Sequence, residues 1–182
     1  MSSCRKDPSE PFPLIRPLRA NDFAKLVLLE QQVDSKELRS SVGPSANAYY
    51  LKMCCEHFQE TSLIVEEDGE PIGYLLAFIQ GREAFCGGFG VVTSDRRSPA
   101  LMERVVERFI TQVQARVDVL WWTLPMASPS KRALLHGLGA VEVEHRADFS
   151  KSGSGRVLVR LGIEQMLPGH GTSLLDTPRP EH

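Results

Sequence analysis

The chain has 182 residues, of which 42% are hydrophobic, and a net charge of −2 from 21 basic and 23 acidic side chains. This length suits one well-buried domain of helices and strands and is too short for two. The nearly balanced charge predicts no strong attraction to nucleic acid or to a membrane surface. Since no apolar run approaches the ~18–20 residues that span a bilayer, we expect a cytoplasmic enzyme or binding domain with no nucleic-acid or membrane partner.

The cysteines and the residues near the two ends of the sequence further limit the class of protein. Cys54 and Cys55, two of the four cysteines, are adjacent inside a helical pattern, which suits neither a disulfide framework nor a zinc site. We therefore expect reduced, packed thiols and no metal. Residues 1–13 are polar and proline-rich and lack the apolar core of a signal peptide, so a disordered lead is expected there. One domain is expected over 14–161, and a loosely ordered tail over 162–182.

The first half of the domain alternates between helical and extended patterns. A strand at the sheet edge is expected near its start, because Pro17 cannot donate to a ladder hydrogen bond. In chain order, the predicted elements are a strand at 14–19, a helix capped by Asn21 and Asp22, a loop at 34–44, a helix at about 46–60, and strands at 61–65 and 71–79 that flank an Asp-Gly hairpin loop.

The centre of the domain is a strand, a helix and a second strand. Residues 84–92 are a short run of apolar and small side chains, which is typical of a buried strand. In the following helix, apolar residues recur every four positions from Leu101 to Val113 and form one wide apolar face. The second strand contains Trp121 and Trp122, one of which must point away from the core side. The two strands should be parallel.

The last part of the domain contains a short helix and two strands. Proline is favoured in the first turn of a helix, and glycine just beyond its end. The predicted elements are a helix that begins at Pro129 with Ser128 as its cap and ends at Gly137 or Gly139, a strand at 141–149, and a last strand at 156–161.

The turn before the central helix is where a ligand is expected. Backbone N–H groups in the first turn of a helix have no intrahelical partners, and the helix dipole adds partial positive charge, so an anion such as a pyrophosphate is favoured. Arg96 and Arg97 reinforce that sign and can hold phosphate oxygens through several donors. The alternative interpretation is a solvated pair of arginines in a loop.

The predicted order β-α-α-β-β-β-α-β-α-β-β resembles the GCN5-related N-acetyltransferase (GNAT) superfamily over residues 14–161. The resemblance implies an α/β (α+β) three-layer sandwich, in which helices flank a mixed, mostly antiparallel sheet. It also implies transfer of an acyl group from acetyl-CoA, as co-substrate, to an amine. Val92 and Arg97 match the strand-ending valine and the turn arginine of the family. By the same resemblance, the expected coenzyme A contacts come from Val91, Val92, Arg96, Arg97, Ser98, Ala100, Leu101 and Met102.

Two regions depart from the family's pattern. Ser98-Pro99-Ala100 stands where GNAT turns carry glycines. Pro99 removes one N–H donor, or it starts the helix at a position where that donor is dispensable. The tyrosine that protonates the leaving thiolate in many members aligns with Leu135. The neighbouring His136 is a candidate catalytic residue, and the alternative is an ordinary surface histidine near a helix end.

A narrower resemblance lies upstream, to the diaminobutyrate acetyltransferases of ectoine synthesis. Tyr49, Cys55, His57 and Phe58 fall in register with that family. The similarity implies a small amino acid or amine as substrate, with Tyr49, Tyr50 and His57 facing its pocket and with Tyr49 and His57 as further catalytic candidates. The alternative interpretation is that Tyr49 and Phe58 pack the helix onto the sheet. A homodimer is expected on family resemblance only.

The reaction sets its own requirements. An ammonium must lose a proton before it attacks a thioester, yet residues 85–92 contain no Asp or Glu to act as the base. The oxyanion needs a preorganised donor, and a backbone N–H near Val91 is the candidate because Gly87, Gly88 and Gly90 permit a bulged, open strand. The alternative hypothesis is a non-catalytic domain of the same fold that binds a metabolite or a protein partner.

Overall fold

A computed structural model describes residues 13–37, 44–92, 97–126, 128–146 and 155–163, with side chains at all of these positions except 33–37 and 44–47. The order of helices and strands agrees with the sequence prediction element by element, which confirms the predicted fold class. The elements are β1 (Leu14–Pro17), α1 (Phe23–Glu37), α2 (Pro44–Glu56), β2 (Leu63–Glu67), β3 (Glu70–Gln80), β4 (Glu83–Val91), α3 (Ser98–Val113), β5 (Val119–Pro125), α4 (Pro129–Gly137), β6 (Val141–Arg146) and β7 (Arg156–Gly162).

The described strands form one sheet in the order β1-β2-β3-β4-β5-β7-β6. The pair β4–β5 is parallel, as the strand-helix-strand unit predicted, and the other neighbouring pairs are antiparallel. β1 lies at one edge of the sheet, where Pro17 favoured it. The parallel pair therefore sits near the middle of an otherwise antiparallel sheet.

Helices cover both faces of the sheet. Since successive side chains of a strand point to opposite faces, each strand contributes to two cores. On β3, Leu75 and Ala77 belong to the larger core, which also contains the buried residues of α3. Tyr74 and Leu76 point the other way, into a smaller core with α1 and α2. We call the two sides the α3–α4 face and the α1–α2 face. The predicted apolar stripe of α3, from Leu101 to Val113, is buried in the larger core.

Several boundaries differ from the prediction. Both ends of the expected loop at 34–44 are helical, since α1 extends to Glu37 and α2 starts at Pro44, and residues 38–43 lie outside the described part. The second helix ends at Glu56, because Gln59–Thr61 forms a separate 3₁₀ turn in which the Thr61 hydroxyl donates to the carbonyl of Ala77 at 2.6 Å. The predicted lead and tail lie almost wholly outside the described residues.

Two predicted helix caps work differently from expectation. Asp22 lies in a 3₁₀ turn before α1, where it accepts hydrogen bonds from Arg16 and from the backbone N–H of Arg19. Ser128 occupies the N-cap position of α4, with Pro129 in the first turn, but its side chain makes no capping hydrogen bond. Its buried hydroxyl has no hydrogen-bond partner among the described residues.

The paired tryptophans and the cysteines lie as their patterns indicated. Trp122 is 1% exposed in the larger core, so Trp121 points to the α1–α2 face. Cys54, Cys55 and Cys86 are free and buried. Burial raises the pKa of all three thiols, which keeps them protonated. None of the described helices is long and apolar enough to cross a membrane.

Candidate functional site

The parallel strands β4 and β5 separate part of the way along their length. They pair only from Glu83 with Val119 to Cys86 with Trp122. Beyond this point β4 continues along β3 as far as Val91, and β5 continues along β7 as far as Pro125. A gap therefore opens within the sheet between residues 87–91 of β4 and 123–125 of β5, and we call it the wedge.

A β-bulge lies where the wedge begins. On β3, Leu76 is opposite Gly88 and the next residue, Ala77, is opposite Cys86, so Gly87 is an extra residue in β4. A bulge of this kind bends its strand and disrupts the ladder locally. The bulged, open strand that the glycines of β4 predicted is thus present, and its position coincides with the separation from β5.

The backbone of β4 beyond the bulge presents free edge groups to the wedge. The Val92 N–H donates to the carbonyl of Ile72 on β3 at 2.6 Å. In an antiparallel ladder, alternate residues direct both backbone groups to the same neighbour. Val91 and Phe89 therefore direct their N–H and C=O groups away from β3, toward the side on which β5 has separated. Val91 is the predicted oxyanion donor, and Phe89 offers a second N–H closer to the bulge.

Tyr50 of α2 covers the bulge from the α1–α2 face. A Cβ added at Gly87 would lie 2.5 Å from the Tyr50 hydroxyl oxygen, so the phenol occupies the space of a side chain at this position. This oxygen is buried and has no hydrogen-bond partner among the described residues. Burial raises the pKa of Tyr50, and the neighbouring thiol of Cys54 raises it further. Tyr50 is therefore a neutral O–H donor at physiological pH.

Lys131 of α4 reaches the wedge from the α3–α4 face. Its residue is 4% exposed, its Nζ donates to the Phe89 carbonyl at 2.5 Å, and the same Nζ lies 4.9 Å from the centroid of the Phe89 ring. A buried ammonium requires such partners because desolvation is costly. Lys131 thus places a positive charge at the open edge of β4.

The turn before α3 retains part of the predicted anion site. α3 begins at Ser98 with Pro99 in its first turn. The Leu101 N–H donates to the Arg97 carbonyl at 3.1 Å. Since the fourth residue of a helix already bonds the N-cap carbonyl, the Leu101 amide is not open to an anion. Met102 lies deeper in the helix. Of the first-turn residues, Ser98 and Ala100 keep an N–H free of the helix ladder.

The turn arginine has a protein partner. Arg97 Nη2 lies 2.6 Å from Glu67 Oε1 at the end of β2, and both side chains are about one-third exposed, at 33% and 32%. Ion pairs with this exposure contribute little to stability, so another anion can compete for Arg97. Arg96 lies outside the described residues. The side chains of Leu101 and Met102 are buried in the larger core, and Val91 and Val92 are half-buried.

The other candidate residues lie apart from the wedge groups. Tyr49 is 70% exposed, and His57 is exposed just beyond α2. His136 binds the Ala140 carbonyl through Nδ1 at 3.0 Å and Glu142 Oε1 through Nε2 at 2.9 Å. Hydrogen bonds from Arg132, and then from His136, lower the pKa of Glu142 to about 2. The structure therefore brings Tyr50, but not these three residues, to the bulge.

Sequence reasoning did not include Lys131 in the site. Its signal was available, because Lys131 precedes Leu135 by one helical turn and so shares its face of α4. Leu135, at the position of the family's tyrosine, is fully buried in the larger core. The ionisable group that α4 sends to the wedge is thus one turn earlier than the family pattern indicates.

Comparison with curated proteins gives one partial match. No family model matches the chain. The L-2,4-diaminobutyric acid acetyltransferase of Virgibacillus pantothenticus is 39% identical over 59 residues, which cover 32% of this chain and 33% of the relative. The match thus spans about a third of each protein, and it agrees with the partial resemblance that the sequence indicated.

Solved structures resemble the chain over most of its length. A diaminobutyrate acetyltransferase from Paenibacillus lautus, in complex with L-2,4-diaminobutyric acid and coenzyme A, has a TM-score of 0.67 at 18% identity and covers 83% of this chain and 95% of its own. The loading GNATL domain of CurA from Lyngbya majuscula has a TM-score of 0.69 at 12% identity, with 85% and 99% covered. The chain therefore has the GNAT fold that the order of its helices and strands predicted.

Proposed function

We propose that the protein is an acetyl-CoA-dependent N-acetyltransferase that acts on a small amino acid or amine. The observation that carries this proposal is the wedge between β4 and β5, with a bulge at Gly87 and open backbone groups at Phe89 and Val91. The GNAT fold and the partial match to a diaminobutyrate acetyltransferase support the reaction and the substrate class.

The open edge of β4 fits an extended ligand that carries amide groups. Such a ligand can bind an unpaired strand edge through main-chain hydrogen bonds, and the pantetheine arm of coenzyme A contains two amides. The carbonyl of Val91 and one of the two N–H groups, of Phe89 or of Val91, would bind it, and the other N–H would remain for the acyl oxygen. The pyrophosphate would be held by the free N–H groups of Ser98 and Ala100. The Arg97 guanidinium would also bind it, once phosphate has replaced Glu67 as its partner. When bound, acetyl-CoA supplies an activated acetyl group.

The groups around the bulge would stabilise the reacting atoms. The N–H of Phe89 or Val91 donates to the oxygen on which negative charge develops. The Tyr50 hydroxyl is neutral and has no partner among the described residues. It can therefore hydrogen-bond the amine, or a water molecule that takes the proton from the substrate ammonium. Lys131, whose Nζ lies at the Phe89 carbonyl, would hold its ammonium near the departing thiolate. Positioning of the two substrates would supply much of the remaining rate.

A second candidate is a non-catalytic domain that binds a metabolite or a protein. Three observations favour it. Arg97 is bound to Glu67, Pro99 removes one amide from the turn, and Lys131 already occupies the Phe89 carbonyl. Under this hypothesis the wedge is closed to pantetheine by groups of the chain itself.

Ligand-dependent thermal unfolding separates the two candidates. A ligand that binds only the folded protein stabilises it by ~2.7 kcal/mol at a hundredfold excess over its dissociation constant. We expect a clear rise in Tm with acetyl-CoA, followed by acetylation of an amino acid in a coupled thiol-release assay. The matched control is adenosine 3′,5′-bisphosphate, which lacks the pantetheine arm. No shift with millimolar acetyl-CoA would remove the acetyltransferase proposal.

A further inference from the structure

One row of side chains crosses three neighbouring strands on the α1–α2 face. Phe85 of β4 is opposite Trp121 of β5, and Trp121 is opposite Arg160 of β7. The adjacent residues Trp122 and Val159, which also pair with each other, belong to the larger core on the opposite face. Trp121 and Arg160 therefore project from the sheet side by side on the face from which Tyr50 covers the bulge.

Both side chains carry unused hydrogen-bond donors. The Trp121 Nε1 atom is buried and has no hydrogen-bond partner in the described part of the chain. An indole N–H can only donate. Arg160 is half-buried, and no hydrogen bond or ion pair joins it to another described residue. A half-buried guanidinium without a counter-ion is costly, so this pair of neighbours requires an acceptor.

Arg160 differs from the other half-buried arginines of the described residues, because each of those donates to an acceptor within the protein. Within the described ranges, Arg16, Arg97 and Arg132 each donate to a carboxylate. Arg156, on the same strand and face as Arg160, donates through Nη2 to the Thr123 carbonyl at 2.8 Å. A carboxylate on this face, Glu144, is bound by Arg146 at 2.6 Å. The protein thus supplies Arg160 with no acid of its own among the residues described.

The row lies close to the bulge. The wedge opens directly after the pairing of Cys86 with Trp122, and Gly87, under the Tyr50 hydroxyl, is two residues beyond Phe85 in β4. Neighbouring strands are about 4.8 Å apart, so β7 lies roughly 10 Å from β4 across β5. A small ligand that lies over β5 can therefore contact Arg160 at one end and the bulge at the other.

We infer that Trp121 and Arg160 bind the carboxylate of the acceptor, so that the acceptor is an amino acid with its reactive amine directed to the Gly87 bulge. This rests on the proposed function and deepens it. Guanidinium and indole N–H groups both donate and neither accepts, which suits a carboxylate. A simple diamine would place a cation against Arg160 and is disfavoured.

Amino acids and their decarboxylated counterparts provide matched probes. We would titrate the protein, without cofactor, with three pairs: L-2,4-diaminobutyrate and 1,3-diaminopropane, ornithine and putrescine, lysine and cadaverine. The chain has 2 tryptophans, so a ¹H–¹⁵N spectrum contains two side-chain indole signals, and Trp121→Phe assigns them. We expect at least one amino acid to shift the Trp121 signal downfield while its diamine does not.

Substitution then tests the guanidinium. A hydrogen bond to a charged group contributes ~1.5–3 kcal/mol, so Arg160→Met should weaken binding of that amino acid by ~10–100-fold. Binding of the diamine should not weaken and should tighten where repulsion by Arg160 had opposed it. Arg108→Met, an exposed arginine on the outer side of α3, is the matched control and should change neither. Thermal unfolding verifies that each variant is folded, and acetyl-CoA affinity should be equal in all of them.

The outcomes separate this inference from the proposed function. If acetyl-CoA binds but no amino acid moves the Trp121 signal, or if Arg160→Met weakens a diamine as much as its amino acid, the carboxylate site is wrong and the acetyltransferase proposal stands. If acetyl-CoA does not bind but the Trp121 signal responds only to carboxylates, the site is retained and the acetyltransferase proposal is removed.

Discussion

The Tyr50 hydroxyl and the Gly87 backbone are in such close contact that a Cβ at Gly87 would lie 2.5 Å from the phenolic oxygen. The same hydroxyl is buried without a partner among the described residues, an arrangement that lowers stability. Tyr50→Phe should therefore leave the free energy of unfolding unchanged or raise it, while acetylation slows. Urea denaturation and steady-state kinetics measure the two effects. A variant that loses stability without losing activity would assign Tyr50 a packing role only.

Gly87→Ala should displace Tyr50 from the bulge. Overpacking of this kind costs about 1–3 kcal/mol, and a shift of ~1 Å in a positioned group can reduce turnover on the order of 100-fold. Gly88→Ala is the matched control, because a Cβ there meets its nearest atom, Cε2 of Tyr74, at an ordinary 3.6 Å. We expect thermal unfolding and kcat to change for Gly87→Ala and to change little for Gly88→Ala. Equal effects would mean that any β-carbon in the bulge is harmful.

The ion pair between Arg97 and Glu67 predicts a specific response at the phosphate turn. Glu67→Gln removes the competing anion and should tighten acetyl-CoA binding, as should Pro99→Gly, which restores an N–H donor. Arg97→Ala should weaken binding by roughly tenfold, since hydrogen bonds between charged groups contribute ~1.5–3 kcal/mol. Titration calorimetry at two salt concentrations measures these changes.

A nearby acid controls for charge alone. Glu70 is exposed and lies opposite Glu67 across the hairpin. Glu70→Gln removes the same charge without releasing Arg97, so it should tighten acetyl-CoA binding less than Glu67→Gln does. If the two variants behave alike, the effect is general electrostatics and the turn has no special role for Arg97.

Lys131 is expected to affect the chemical step, and not the affinity for acetyl-CoA. Lys131→Met should lower kcat by about tenfold or more with little change in acetyl-CoA affinity, because the ammonium would stabilise the departing thiolate. The defect should shrink with p-nitrophenyl acetate as donor, since its leaving group needs less protonation. Lys52→Met, at an exposed lysine of α2, is the control. Tighter acetyl-CoA binding in Lys131→Met would instead show that the lysine obstructs the wedge.

The sequence predicted the order of elements well because each one carries its own local pattern. The stripe from Leu101 to Val113 identifies α3 without any tertiary information. The bulge was expected from the glycines of β4, but its position was not, because a bulge is defined by the partner strand and here by the register of Leu76 and Ala77. Register depends on pairing between distant residues, which local patterns do not contain.

The site was harder to predict than the fold for the same reason. Tyr49 and Tyr50 are adjacent, and only the packing of α2 on the sheet decides that Tyr50 covers the bulge while Tyr49 is 70% exposed. Arg160 appears in a strand pattern as an ordinary outward-facing residue. Its significance depends on the strand order β4-β5-β7, which places it beside Trp121.

The Arg16 cluster leads to a prediction about folding and pH. Arg16 donates to both carboxylate oxygens of Asp22 at 2.8 and 2.9 Å and to both of Glu66 at 2.8 and 2.7 Å. It thereby links the edge strand β1 to β2 and to the turn before α1. The three side chains are only 14%, 5% and 12% exposed. Arg16→Met leaves two buried carboxylates without a cation and should destabilise the fold by about 3–5 kcal/mol at neutral pH.

The pH dependence identifies the cause. Hydrogen bonds from Arg16 hold the pKa values of Asp22 and Glu66 below their ordinary range in the folded protein. Carboxyls of this kind add stability above their unfolded pKa of ~4, and that stability is lost as the pH falls through the folded values. Without Arg16, mutual repulsion and burial raise the folded pKa values of both carboxyls. Protonation at acid pH then removes the repulsion in the variant and increases its stability, whereas in the wild type it breaks the pairs with Arg16 and lowers stability. The difference in unfolding free energy, measured with urea at pH 7, 5 and 4, should therefore shrink as the pH falls.

Arg82→Met, which breaks the exposed pair with Asp118, should show little loss at any of these pH values. A deficit in Arg16→Met that stays constant with pH would point to lost packing of the arginine stem and not to the carboxylates.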